Sequence, residues 1–144
     1  MANFKESNVI TSVEQAEQLL ELEFNPNKAS MIWAKTNAGD DWKPYCIPYE
    51  STLKDLSYAY RPAWAMCDLI SMFPPYINYN HKSWNLAIGS NSIAYVDPID
   101  HNYIYVEKIL PNEGDTLINV AVRLLIKLKH ILNKKVWTVS KNPT

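Results

Sequence analysis

The sequence contains little glycine, with only Gly39, Gly89 and Gly114 among its 144 residues. A glycine-rich loop that cradles phosphate needs several closely spaced glycines, so this scarcity excludes the common nucleotide-binding loops. Tight turns must then use other residues in the left-handed backbone conformation. Asparagine is abundant and tolerates that conformation, so we expect it to take the place of glycine in the turns.

Cysteine is also scarce, and the two cysteines are too few for a disulfide framework or a zinc site. This usage favours a reducing compartment. Cys46 lies in a proline-flanked segment, and Cys67 lies in a helical pattern where a small core residue is expected. Neither has a histidine close by in the sequence that would favour a nucleophilic pair.

No long apolar run is present either. The strongest one, residues 117–132, is interrupted by Arg123, Lys127 and Lys129 and is too short and too charged to span a bilayer. Residues 1–8 lack the apolar core of a signal peptide. We therefore expect a cytoplasmic protein with no membrane partner.

The length and composition are those of one globular domain. The apolar content is 47%, and 14 basic residues against 15 acidic residues give a net charge of -1. This balance does not demand a nucleic-acid or membrane partner. We predict a single domain over residues 1–144, with an ordered core of about 10–133, a polar tail at 134–144, and no cofactor.

Three segments have the periodicity of amphipathic helices. The first runs from about Val13 to Leu22, with Thr11 and Glu14 as a capping box. The second, Ala65 to Phe73, is stopped by two prolines. The third is the strongest, because eight apolar side chains between Leu117 and Leu132 form a wide stripe. A short helix after Ser51 is a weaker pattern.

The middle of the chain alternates as short strands do, with Tyr103, Tyr105 and Glu107 on one face of the last strand. The predicted strands are Met31–Ala34, Tyr45–Tyr49, Tyr76–Asn80, Trp84–Gly89, Ser92–Val96 and Tyr103–Ile109. The short connections favour antiparallel pairing. The predicted fold class is therefore α+β, a small antiparallel β-meander packed by a long C-terminal helix and two shorter helices.

A basic stripe is the most suggestive charge pattern. Arg123, Lys127, His130 and Lys134 are spaced to share one face of the last helix. Such a stripe could contact the phosphates of a nucleic acid. It is more often a solvated face whose cations complement the helix dipole.

Two further polar groups offer alternatives. Asp97, Asp100 and His101, with His81, could act as acid and base or hold a metal, but the segment also has the composition of a plain turn. Arg61 could pair with a carboxylate or phosphate, or simply precede the helix that follows Pro62.

Aromatic residues are plentiful, with five tryptophans and nine tyrosines. Some must lie in the core, and an exposed subset would supply anchors for a protein interface. Stacking of nucleic-acid bases is less favoured, because the strands lack interleaved lysine and arginine. The candidate interface aromatics are Trp42, Tyr45, Tyr49, Trp64 and Trp84.

Several stretches carry a resemblance to known proteins, namely 14–22, 25–31, 62–64, 68–74 and 115–122. In these the chain resembles a group of small uncharacterised proteins from phages, prophages and mobile elements of Bacteroides-like bacteria. The resemblance covers most of residues 12–132 and consists of caps, turns and apolar faces. It implies an intracellular, mobile-element origin and adds no catalytic residue, since the group has no established activity.

These patterns favour a protein that is not an enzyme. We expect a protein-interaction module of phage or mobile-element origin that binds a protein partner or itself. The alternative is an accessory protein that contacts nucleic acid through the basic stripe.

Overall fold

The computed structural model describes residues 9–35, 37–46, 59–111 and 114–132. The chain divides into two compact units, residues 1–68 and residues 69–144, and each is described by itself. The division into two units does not test the single domain that we expect from the length, so that expectation stays a prediction. The predicted helix after Ser51, residues Tyr49 and Lys134, and the tail at 134–144 lie outside the described residues.

The first unit begins with helix α1, Val13–Glu21, which starts where it was predicted to start but whose N-cap differs by one residue from the prediction. Ser12 is the N-cap: its hydroxyl accepts a hydrogen bond from Gln15 N, and the Gln15 side chain accepts one from Ser12 N. The predicted cap, Thr11, is instead fully buried. Its hydroxyl accepts a hydrogen bond from Trp64 N at 3.1 Å. The hydroxyl therefore bonds to a residue distant in the sequence and is not available to cap the helix.

A three-stranded antiparallel sheet follows, built from β1 (Met31–Lys35), β2 (Lys43–Cys46) and β3 (Ala59–Ala63) in the order β2-β1-β3. β2 begins two residues before the predicted strand Tyr45–Tyr49, whose last three residues lie outside the described part of the chain, and β3 was not predicted. Pro44 and Pro62 explain both errors, because proline weakens a strand pattern. Both prolines lie in edge strands, where proline is tolerated.

Helix α2, Met66–Met72, leads into the second unit and ends just before the two prolines, as predicted. The second unit contains β4 (Tyr76–Tyr79), β5 (Lys82–Ile88), β6 (Ser92–Val96) and β7 (Tyr103–Lys108). Their order is β4-β5-β6-β7 with antiparallel neighbours, so the predicted meander is confirmed.

The turn between β4 and β5 contains two residues rather than the predicted four. Asn80 and His81 both have positive φ, at 55° and 63°. Two consecutive left-handed residues are typical of the tight hairpin turn whose twist matches the flanking strands. Asparagine therefore takes the role of glycine at Asn80, as expected.

Helix α3, Leu117–Ile131, packs against β6 and β7 and confirms the predicted C-terminal helix. Thr116 caps it by accepting a hydrogen bond from Asn119 N at 3.2 Å. The core of the second unit includes Leu124, Leu128, Ile93 and Tyr95, all with no exposed surface. Burial of each such side chain stabilises the unit by about 1.5–3 kcal/mol before entropy is counted.

A β-bulge in β7 corrects the predicted faces of that strand. Tyr95 pairs with Ile104 and Ile93 pairs with Glu107, so two residues of β7, Tyr105 and Val106, lie opposite one residue of β6. The extra residue is Tyr105, whose φ is 53°. One inserted residue moves the side chain of every later residue of the strand to the opposite face of the sheet. Glu107 therefore shares a face with Ile104 instead of with Tyr103.

Candidate functional site: a groove on the open face of the four-stranded sheet

The face of the four-stranded sheet opposite Ile93 and Tyr95 carries an open groove. Directly paired residues of antiparallel strands share a face, and so do alternate residues along one strand. The pairs on this face are Ala87–Ala94, Val96–Tyr103 and Ser92–Lys108. The groove therefore runs across β5, β6 and β7.

The groove has a volume of about 400 Å³, within the range of small-ligand and peptide sites. Ala94, at 5% exposure, forms a flat floor with Ala87, because neither side chain extends beyond a methyl group. Tyr103 and Val106 rise beside it and are 60% and 38% exposed. Ile88 lines the edge of the groove, although it pairs with Ile93 and so belongs to the other face of the sheet. A small floor with large exposed walls lets a partner side chain approach the sheet closely.

One end of the groove is polar. Ser92 and Lys108 face each other across β6 and β7, and Gly89 lies beside Ser92. A β-carbon at position 89 would lie 3.4 Å from Ser92 Oγ, so glycine leaves the approach to that hydroxyl open. Within the described part of the chain, the Lys108 ammonium has no ion-pair partner.

The bulge at Tyr105 creates this arrangement. Without the extra residue, strict alternation from Tyr103 would turn Lys108 towards α3 and Glu107 towards the groove. With it, Lys108 enters the groove and Glu107 meets Arg123 of α3. A single strained residue thus places a positive charge on the open face.

Arg123 is held by a network of acids on the other side of the sheet. Its Nη1 and Nη2 donate to the two oxygens of Asp115 at 3.0 and 2.8 Å, its Nε donates to Glu107 Oε1 at 3.3 Å, and Nη2 also donates to the Lys108 carbonyl at 2.9 Å. The Arg123 guanidinium holds the pKa of Asp115 far below its usual range, helped by a hydrogen bond from Leu110 N. This network fixes the end of β7 against α3.

The basic stripe is therefore largely neutralised. Arg123 pairs with Asp115 and Glu107, and Lys127 lies 3.6 Å from Glu107. His130 is exposed. Charges that are already paired release few counterions on contact with nucleic acid, so the arrangement weakens the electrostatic case for that partner.

The Asp97 and Asp100 group forms a structured turn. Asp97 Oδ1 accepts a hydrogen bond from Ile99 N, and Lys82 Nζ lies 3.1 Å from Asp97 and 2.6 Å from Asp100. The hydrogen bond from Ile99 N, followed by the one from Lys82, lowers the pKa of Asp97. His101 has a positive φ, at 60°, in the same turn. Among the described residues, no group of three acids, histidines or cysteines is arranged to hold a metal ion.

The candidate interface aromatics separate into two environments. Trp64 and Trp84 lie in the cores of their units, at 0% and 6% exposure, because each indole completes the packing there. Tyr45 and Trp42 are partly exposed in the first unit. Trp42 is flanked by two cations, with Lys35 Nζ at 4.8 Å and Arg61 Cζ at 5.5 Å from its ring centre.

Two residues, Cys67 and Tyr103, differ from what the sequence led us to expect. Cys67, expected in the core, is exposed, because it lies on the outer side of α2. Tyr103 is the main aromatic of the groove and was not singled out as an interface residue. The sequence signal that could have indicated the groove was the pair Ala87 and Ala94, because two small residues within neighbouring strands indicate a sheet face that few side chains cover.

Comparison of the chain with protein-family models, with curated proteins and with solved structures found no match. The resemblance to mobile-element proteins thus stays a prediction. Across the residues that the structure describes, no helix is both long enough and apolar enough to cross a bilayer.

Proposed function

We propose that this protein is a non-enzymatic interaction module that binds a segment of a protein partner in the groove of the four-stranded sheet. The observation that carries the proposal is the set of exposed apolar walls around a flat alanine floor. Grouped exposed apolar side chains indicate a binding surface, whereas single ones do not. Tyr103 is the natural anchor, since tyrosine supplies a large contact area at low conformational cost.

The perturbed acids do not favour an enzyme. Lowered carboxylate pKa values mark active sites in many proteins, but structural ion pairs also produce them. Here Asp97 holds a turn together with Lys82, and Asp115 holds β7 to α3 through Arg123. Both acids have structural roles that account for their pKa shifts.

The second candidate, contact with nucleic acid through the basic stripe, receives less support. Two of its cations are paired with acids, and a third, Lys134, lies outside the described residues. If it nevertheless operates, affinity for a short single-stranded DNA will fall steeply as salt rises, and Lys127→Glu will lower it.

The cellular setting is also a proposal. We place the protein inside a bacterial cell, in the context of a phage or mobile element. The intracellular compartment is supported by Cys46 and Cys67, which are both free and exposed, a state that a reducing compartment preserves. The mobile-element context rests on the resemblance alone.

A phage-displayed library of random twelve-residue peptides tests the proposed function. We expect the wild-type protein to enrich a related set of peptides, and Tyr103→Ser and Ala87→Leu to lose them, because one variant removes the anchor and the other fills the floor. Ile99→Ser is the matched control, since Ile99 is 83% exposed and does not line the groove. Failure to enrich peptides, or equal binding by all four proteins, would overturn the proposal.

A further inference from the structure

We infer that the partner segment is acidic, and that it places a carboxylate side chain between Lys108 and Ser92 while an apolar neighbour packs against Tyr103. This inference rests on the proposed function and assigns a chemical class to its ligand. The groove has an apolar floor and walls and one polar end, so it distinguishes the two ends of a bound segment.

The polar end has the donors that a carboxylate needs. Ser92 and Lys108 are directly paired on adjacent strands of one face, a geometry that brings their β-carbons to within about 4.5–5.5 Å. The Ser92 hydroxyl and the Lys108 ammonium can then donate to the two oxygens of one carboxylate. Gly89 leaves the approach to Ser92 open.

In the part of the chain that the structure describes, the charge of Lys108 is available because Glu107 and Asp115 are engaged with other partners. Glu107 is its neighbour in sequence but faces α3, where it pairs with Arg123 and Lys127. Asp115 accepts both Arg123 hydrogen bonds and one from Leu110 N. The two acids and the two cations of that network balance each other, so among the described residues of the groove Lys108 carries an uncompensated charge.

The wider charge distribution points the same way. Residues 69–144 contain eight lysines and arginines against five acids, a formal net charge of +3, although the whole chain carries -1. A positive unit with a positive groove attracts an acidic segment during the encounter and repels a basic one. Charge complementarity therefore favours an acidic partner segment over a neutral or basic one.

The test is a charge exchange on the random twelve-residue library. Wild-type protein is expected to enrich peptides with Asp or Glu next to an apolar residue. Lys108→Glu is expected to lose these peptides and to enrich Lys or Arg at the same position. Lys108→Gln, which removes the charge without reversing it, is expected to bind the wild-type peptides about fivefold more weakly.

Lys43→Glu is the matched control, because Lys43 is an exposed lysine of the other sheet. Peptides that bind wild type, Lys108→Glu and Lys43→Glu equally, and that lack acidic residues, would overturn the acidic ligand while leaving the groove as the binding site. Absence of enrichment on every protein would overturn the proposed function itself. Light scattering that shows a dimer abolished by Tyr103→Ser would replace the acidic segment with a second copy of the chain.

Discussion

At the scale of single residues, Tyr105 has the largest effect on the candidate site. It adopts a left-handed backbone conformation, with φ at 53°, which costs a residue with a side chain about 1 kcal/mol or more. Its ring contacts Tyr79 edge-on, with the centroids 6.3 Å apart. The strain inserts one residue into β7, and that insertion turns Lys108 into the groove.

Substitution of Tyr105 tests this strain. Tyr105→Gly should unfold at nearly the wild-type urea concentration, because relief of the strain offsets the lost ring contact. Tyr105→Val should lose about 2 kcal/mol of unfolding free energy, since a β-branched residue is disfavoured at positive φ. Equal losses in both variants would show that the ring contact, and not the backbone, determines stability here.

His81 offers a second test at the same scale. The turn Asn80-His81 requires positive φ at both positions, and glycine adopts it without steric cost. His81→Gly should therefore raise the unfolding free energy by about 0.5–1 kcal/mol. A thermal melting curve followed by circular dichroism measures the change, and a lower melting temperature would contradict the assigned turn.

Asp115 determines part of the pH dependence. Its folded pKa lies below its unfolded value, so its contribution to stability is fully present above about pH 4 and is lost as the pH falls towards the folded pKa. Wild-type unfolding free energy should fall between pH 5 and pH 2. Asp115→Asn should start about 3 kcal/mol lower at pH 7, because Arg123 loses its main partner.

The pH dependence of Asp115→Asn provides the control. The unfolding free energy of this variant should fall less below pH 5 than that of wild type. Some decrease should remain, because the pKa of Asp97 is also lowered in the folded protein. Parallel pH profiles for the two proteins would show that the Arg123–Asp115 pair does not contribute to acid sensitivity.

At the scale of elements, α3 and the meander could be predicted because their signals are local and repeated. The 3.6-residue period of α3 and the alternation of β5 to β7 appear within single segments. β3 and the bulge could not be predicted in this way, because both depend on which residues of another strand lie opposite. The Arg123 network could not be predicted from the sequence either, because Glu107 of β7 and Asp115 come close to Arg123 only when α3 packs against β7.

Two apolar residues of α3 differ in burial, so their substitutions should differ in their effect on stability. Leu124 is fully buried, whereas Ile131 in the last turn is 50% exposed. Leu124→Ala should cost about 3 kcal/mol of unfolding free energy through lost contacts and a cavity. Ile131→Ala should cost less than about 0.5 kcal/mol. Similar losses in urea titrations of the two variants would contradict the described burial.

At the scale of the whole molecule, the candidate site depends on several features that act together. The register places Ala87 opposite Ala94, the bulge turns Lys108 outward, and the Arg123 network holds the strand that carries Lys108. The sequence pattern showed that aromatics were available for an interface, but not which ones. The groove was not predictable from the sequence, because it exists only where three strands meet in register.

The most direct measurement is a two-dimensional ¹H–¹⁵N NMR titration of the labelled protein with a peptide selected on the wild type. We expect the amide signals of Ala87, Ala94, Tyr103 and Val106 to move with the peptide concentration. The amide signal of Ile99, which belongs to the same unit but does not line the groove, should stay in place and serve as an internal control. Shifts confined to residues outside the groove, or saturable binding that leaves the groove signals unmoved, would contradict the groove as the binding site.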